Sequence, residues 1–152
     1  MIELKEGIQF DRVEFRYPTA HDTSPSTFTG ISFLIKAGTS TAIVGPSGSG
    51  KSTIVQLINR LYDPTRGMIR FGSDDIRTLS LAQLREQVGY VGQEPVLILG
   101  TIRENLKYGN ADATEQDMQK ALALAKAEFV DTLENGLDTY VGSGSILNLS
   151  GG

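Results

Sequence analysis

The chain has 152 residues, enough for one domain with a modest core, and a globular apolar share of 39% before its 17 glycines are counted. Its net charge of −4 lacks the bulk basic footprint of a nucleic-acid binder. No cysteine and a single histidine, His21, exclude a disulfide scaffold, a zinc-thiolate site, a cysteine nucleophile and any multi-histidine metal site.

Residues 1–10 alternate charged and apolar side chains without signal-peptide form, and no apolar run approaches the ~20 residues of a membrane span, so a cytosolic compartment is expected. Over residues 8–17 the apolar positions are Ile8, Phe10, Val13, Phe15 and Tyr17. The register shifts once near Asp11–Arg12, which predicts a half-buried, bulged strand. Residues 18–30, with threonine, serine and two prolines, predict a surface loop. A second strand is expected over 31–35, a turn at Ala37–Gly38 and a short third strand over 41–44. After a glycine-rich loop, residues 52–61 carry Ile54, Leu57, Ile58 and Leu61 at helical spacing, with Asp63–Pro64 and Arg66–Gly67 as the stop. Residues 68–71 predict a strand, 79–87 a short helix and 88–91 another strand. Thr114 with Asp117 predicts a capping box, and Met118, Ala121, Leu122 and Ala125 form the core-facing stripe behind it. Phe129, Val130 and Leu133 extend the stripe, and Gly136 is the expected C-cap. The order of elements is that of an α/β or α+β domain.

The segment that carries chemistry is Gly45-Pro46-Ser47-Gly48-Ser49-Gly50-Lys51-Ser52, a match to the G-x-x-x-x-G-K-[ST] phosphate loop. Glycines let backbone N–H groups approach phosphate oxygens, the Lys51 ammonium offsets the charge of the β- and γ-phosphates, and the Ser52 hydroxyl suits Mg²⁺. The helix that opens here aims its positive end at the same anion. Four restricted positions at ordinary residue frequencies make a chance match rarer than about 1% for such a chain. The loop alone does not choose among kinases, GTPases, motor ATPases and transporter ATPases.

Around the loop, four segments resemble the nucleotide-binding domain of an ABC transporter, most closely the exporter branch that includes multidrug and peptide transporters. The first is Val13-Glu14-Phe15-Arg16-Tyr17-Pro18. The resemblance makes Tyr17 the aromatic that stacks on adenine, an interaction worth ~1–3 kcal/mol. The second, Val91-Gly92-Gln93-Glu94-Pro95-Val96-Leu97, looks like the family's Q-loop, in which Gln93 would reach Mg²⁺ and the attacking water. The third, Thr101-Ile102-Arg103-Glu104-Asn105-Leu106-Lys107-Tyr108-Gly109, is similar to the exporter segment that faces the transmembrane coupling helices, with Glu94 assigned to the same contact. The fourth, Leu149-Ser150-Gly151-Gly152, looks like the start of the signature, where Ser150 and the amides of Gly151 and Gly152 would cap the γ-phosphate held by the opposite subunit.

The resemblance implies an α/β P-loop ATPase core of ABC type, with an N-terminal antiparallel β-subdomain and phosphate-loop core over 1–92 and a Q-loop and helical subdomain over 93–152. It implies ATP and Mg²⁺ as cofactors, held by Tyr17, the loop from Gly45 through Thr53, and the signature residues, with Ser52 and Gln93 on the metal. The implied partners are a second such domain in a head-to-tail dimer and the transmembrane domain of the same transporter, with no nucleic acid. The place would be the cytoplasmic face of a membrane, with hydrolysis coupled to export. The alternatives are a soluble non-transport ABC ATPase and a nucleotide-binding or interaction module without catalysis of its own.

Three departures stand out. The loop after Tyr17 looks about two residues longer than the family's usual one. Ser143 and Asn148 stand where exporters usually carry glutamate and glutamine before the signature, and some full-length exporters pair one competent site with one degenerate one. No run of four apolar residues is followed by an acid, so the Walker B strand with its metal aspartate and general base has no counterpart in these residues; nor does the switch histidine, since His21 lies in the upstream loop. The chain therefore looks like the N-terminal part of the domain, ending at the signature, with the C-terminal part of the core sheet missing and with little turnover alone.

Overall fold

The computed structural model describes residues 5–19, 26–93 and 96–141, in two compact units, residues 1–90 and 91–152. In the first, β1 (Ile8–Phe15), β2 (Phe28–Ile35), β3 (Arg66–Phe71) and β4 (Asp74–Asp75) form an antiparallel sheet in the order β2-β1-β3-β4. The bulge in β1 is where the sequence puts it. Phe10 and Val13 are an odd number of residues apart and would point to opposite faces of a regular strand. The register shifts between them and Arg12 turns left-handed (φ 47°), so Phe10, Val13 and Phe15 are all buried in one core. The Arg12 N–H donates to Ser32 Oγ at 2.8 Å, and Phe10 stacks on its cross-strand partner Phe33 at 4.4 Å. Gly67 matches the bulge: a Cβ there would sit 2.2 Å from the Arg12 carbonyl oxygen.

Helix α1 (Lys51–Ile58) adds Ile54 and Leu57 to this core, and α2 (Leu81–Arg85), opened by a Ser80–Gln83 capping box, adds Leu84. At the end of α1, Arg60 takes φ 48°. The N–H groups of Arg60 and Leu61 donate to the carbonyls of Leu57 (3.0 Å) and Gln56 (2.9 Å), a Schellman ending in which glycine is the usual left-handed residue. Arginine offsets the strain with its guanidinium, which donates to the carbonyls of Ile76 (3.0 Å) and Leu79 (2.6 Å) and pairs with Asp63 (3.0 Å).

Several expectations are corrected. Residues 41–44 and 88–91, predicted as strands, join no sheet among the described residues. A strand is defined by its ladder, and Val44 and Val91 are left 88% and 92% exposed. β1 ends at Phe15, short of Tyr17, while β2 starts at Phe28, inside the predicted loop. α1 and α2 are both shorter than the spans 52–61 and 79–87, and Leu61, beyond the Schellman ending, is exposed.

The second unit pairs β5 (Gly100–Thr101) with β6 (Tyr140–Val141) and holds α3 (Ile102–Lys107) and α4 (Glu115–Leu124) around Ile102, Met118, Leu122, Val130, Leu137 and Val141. α4 starts with the predicted Thr114–Asp117 capping box. It ends sooner than its stripe suggests, because Lys126 turns left-handed (φ 57°) and the Ala127 N–H donates to the Leu122 carbonyl at 2.9 Å. Ala125 and Phe129, beyond the helix, are exposed, and so is Ala121 within it, where only Met118 and Leu122 of the stripe are buried. Gly136 opens a 3₁₀ turn, Gly136–Asp138, instead of capping a helix.

Asp75 caps the 3₁₀ turn after β4, accepting the Arg77 N–H at 2.9 Å and its guanidinium at 2.7 Å. The hydrogen bond from the Arg77 side chain holds the Asp75 carboxyl below its ordinary value. A carboxyl lowered in the folded state stabilises it above the ordinary carboxylate range, and that contribution fades as pH falls through the lowered value. Asp75→Ala should cost about 1–2 kcal/mol in urea unfolding at pH 7, with the gap to wild type narrowing as pH falls below the ordinary carboxylate range.

Candidate functional site

The loop over 45–50 leads straight into α1, and Gly50 is the helix N-cap in the left-handed region (φ 91°). No side chain caps that end and the first turn holds no acid. Its leading amides are thereby left for an anion, which the helix dipole favours. Gly48 is also left-handed (φ 79°), and the Ser49 N–H closes on the Pro46 carbonyl at 3.3 Å. Gly50 is fixed by contact as well as by conformation: a Cβ there would lie 2.5 Å from Cε1 of Phe28 and 3.1 Å from Cγ2 of Thr27. Lys51 folds across the loop and its Nζ donates to the carbonyls of Gly45 (2.9 Å) and Pro46 (2.7 Å). One of its three donors remains for a ligand.

An open groove of about 340 Å³ runs from the loop to Tyr17, lined by Tyr17, Thr27, Ser47, Gly48, Gly50, Lys51, Ser52 and Thr53. Lys51 is the one charged side chain in that lining, so the groove suits an anion with uncharged parts. The Tyr17 hydroxyl lies 2.8 Å from Thr53 Oγ1 and donates to Gln56 Oε1 at 2.6 Å. The structure thus brings Tyr17 to the loop across a separation of 28 residues in sequence, through α1.

Gln93 is exposed and belongs to the second unit. Glu94, Ser143, Asn148, Ser150, Gly151, Gly152 and His21 lie outside the described residues. The 101–109 segment contains α3, opened by a Thr101–Glu104 capping box. Asn105 clamps the preceding run, its side chain accepting from the Ile98 N–H (2.8 Å) and donating to the carbonyls of Ile98 (2.7 Å) and Thr101 (2.9 Å). Sequence reasoning missed three residues of the groove and its support: Thr27, Phe28 and Gln56. Gln56 had a signal, a polar residue three after Thr53 on one helix face; Thr27 and Phe28 had none, being hidden in an apparent loop.

The ABC transporter family model matches residues 28–152. This chain belongs to the ABC transporter family. The ATP-dependent permease MDL1 of Candida albicans is 44% identical to it over 151 residues, covering 99% of this chain and 22% of that protein. The ABC transporter B family member 22 of Arabidopsis thaliana is 47% identical over 152 residues, covering 98% of this chain and 12% of that protein. Among solved structures, a bacterial Atm1-family ABC exporter with ATP bound aligns with a TM-score of 0.82 at 38% identity, over 94% of this chain and 24% of that one. The chain spans less than a quarter of the length of these relatives. Its likeness is to the nucleotide-binding domain of ABC exporters, whose P-loop ATPase fold it shares, with the antiparallel sheet toward the N-terminus. No helix among the described residues is long and apolar enough to cross a membrane.

Two glycines of the loop over 45–50 separate packing from conformation. Gly50→Ala must displace the Phe28 ring and keep a positive φ, whereas a Cβ on Gly48 meets open space. Thermal or urea unfolding should show Gly50→Ala costing roughly 2–4 kcal/mol and Gly48→Ala about 1 kcal/mol.

Proposed function

We propose that this ABC domain binds ATP with Mg²⁺ in the groove between Tyr17 and the loop. In the whole transporter, hydrolysis of that ATP is coupled to export across a membrane. The observation that carries the reading is the bare first turn of α1, with Lys51 at its mouth, opening on a groove that reaches an aromatic ring. The triphosphate lies along the loop from Gly45 through Thr53, Ser47 and Ser49 supplying backbone N–H and hydroxyl contacts and Pro46, which has no N–H, shaping the turn. The base stacks on Tyr17. Mg²⁺ favours one or two protein oxygens completed by phosphate and water, and Ser52 fits that pattern in a lining that contains no carboxylate. When bound, the ion offsets the charge of the phosphates.

In this reading Gln93 orients the attacking water and reaches the ion. Ser150, Gly151 and Gly152 cap the γ-phosphate held by a second domain, two domains closing head to tail on two nucleotides. The exposed apolar run 96–99 and α3 face the transmembrane domain at the cytoplasmic side. The names and identities of the relatives support this assembly, and the motif order within the chain agrees with it.

Labelled-ATP binding tests the groove: Lys51→Ala, which removes a charge-assisted contact, should weaken binding about 10–100-fold, and equal binding would sink the reading. Phosphate release by this chain alone should stay near background. A missing general base and metal carboxylate each cost on the order of 10²-fold or more, and a robust Lys51-dependent rate would show that catalysis needs less.

A further inference from the structure

The groove ends on an aromatic ring whose orientation is controlled from outside the groove. The Tyr17 phenol has one proton and gives it to Gln56 Oε1 at 2.6 Å, so the Thr53 hydroxyl, 2.8 Å away, is the donor to the phenolic oxygen. The ring is also wedged edge-on between Phe15 (centroids 4.9 Å apart, planes at 79°) and Tyr62 (5.2 Å, 87°). Swinging the ring about Cα–Cβ would break both hydrogen bonds, and turning it about its own axis, which leaves the hydroxyl in place, would break both edge contacts. Gln56 does not line the groove, so whatever it does for a ligand it does through Tyr17. Thr53 and Gln56 stand on the same helix whose first turn faces the phosphates, which ties the aromatic platform and the anion seat to one rigid element.

We infer that Gln56 is a positioning residue for nucleotide binding: it locks the Tyr17 ring in the orientation that receives the base, so that the base-dependent part of the affinity passes through it. This rests on the reading of Tyr17 as the base platform. A ring held in place before binding loses less freedom when the base arrives, and the difference appears as affinity. The effect is specific to ligands that carry a base, since the phosphate contacts come from the loop.

The test uses the full chain and a fluorescent ATP analogue displaced by ATP or by inorganic tripolyphosphate, with thermal melting as a check on folding. Gln56→Leu and Tyr17→Phe should each weaken ATP about 3–10-fold while tripolyphosphate displaces the analogue within twofold of wild type. The double variant should be no weaker than Tyr17→Phe, because Tyr17→Phe already removes the bond to Gln56. Tyr17→Ala separates the two ideas. If it leaves ATP affinity unchanged, the base platform is elsewhere and both claims fall. If it weakens ATP while Gln56→Leu and Tyr17→Phe do not, the platform stands and the positioning role is overturned. A Gln56→Leu loss shared equally by ATP and tripolyphosphate would also overturn it, since that is general damage to the helix.

Discussion

A helix start whose leading amides are left open imposes a constraint on everything around it: the turn that offers those amides is not capped by its own side chains. Forgoing a cap costs on the order of 1 kcal/mol, and an uncapped helix start frays unless something else holds it. In this domain the holding is done at four places. Below the turn, Gly50 is pressed against the Phe28 ring. Along the helix, Ile54 and Leu57 are buried against the sheet. On the flank, Thr53 and Gln56 bond the Tyr17 hydroxyl. At the far end, Arg60 closes the last turn and stitches it to the carbonyls of Ile76 and Leu79. The first turn stays open because the rest of α1 is over-determined.

Much of this was legible from residues alone where chemistry is local. The phosphate loop follows from glycine conformation and a lysine, the β1 bulge from a single break in alternation at Asp11–Arg12, and the start of α4 from Thr114 and Asp117. What was not legible depends on partners distant in sequence. The valine-bearing runs 41–44 and 88–91 have strand composition, yet composition cannot say whether a neighbouring strand is there to complete a ladder. The ends of α1 and α4 were overestimated for one shared reason. Arg60 and Lys126 occupy the left-handed position usually filled by glycine, so no sequence signal announced either stop. The capping boxes of α2 and α3 had such a signal, in Ser80–Gln83 and Thr101–Glu104, and could have been read from spacing.

Within the candidate site the division is the same. The loop residues and Tyr17 come from motif and resemblance, and the structure adds how they are connected. The second unit repeats the theme with different means. Arg103 grips Asp138 through two contacts, at 2.7 and 3.2 Å, and holds that carboxyl below its ordinary value. Asn105 lends its amide to Ile98 as a neighbouring strand would, keeping the apolar run 96–99 in a fixed place while its side chains stay exposed.

The unpaired run before the phosphate loop has a mechanical consequence. Backbone groups of residues 41–44 enter no ladder among the described residues, although Ile43 leans on the core. Amide hydrogens in β1, flanked by strands on both sides, exchange with solvent only through large openings, while those of an unladdered segment exchange through small ones. Within these residues the loop is held by its helix and by the lean of Ile43 on the core, not by a ladder on the segment that leads into it.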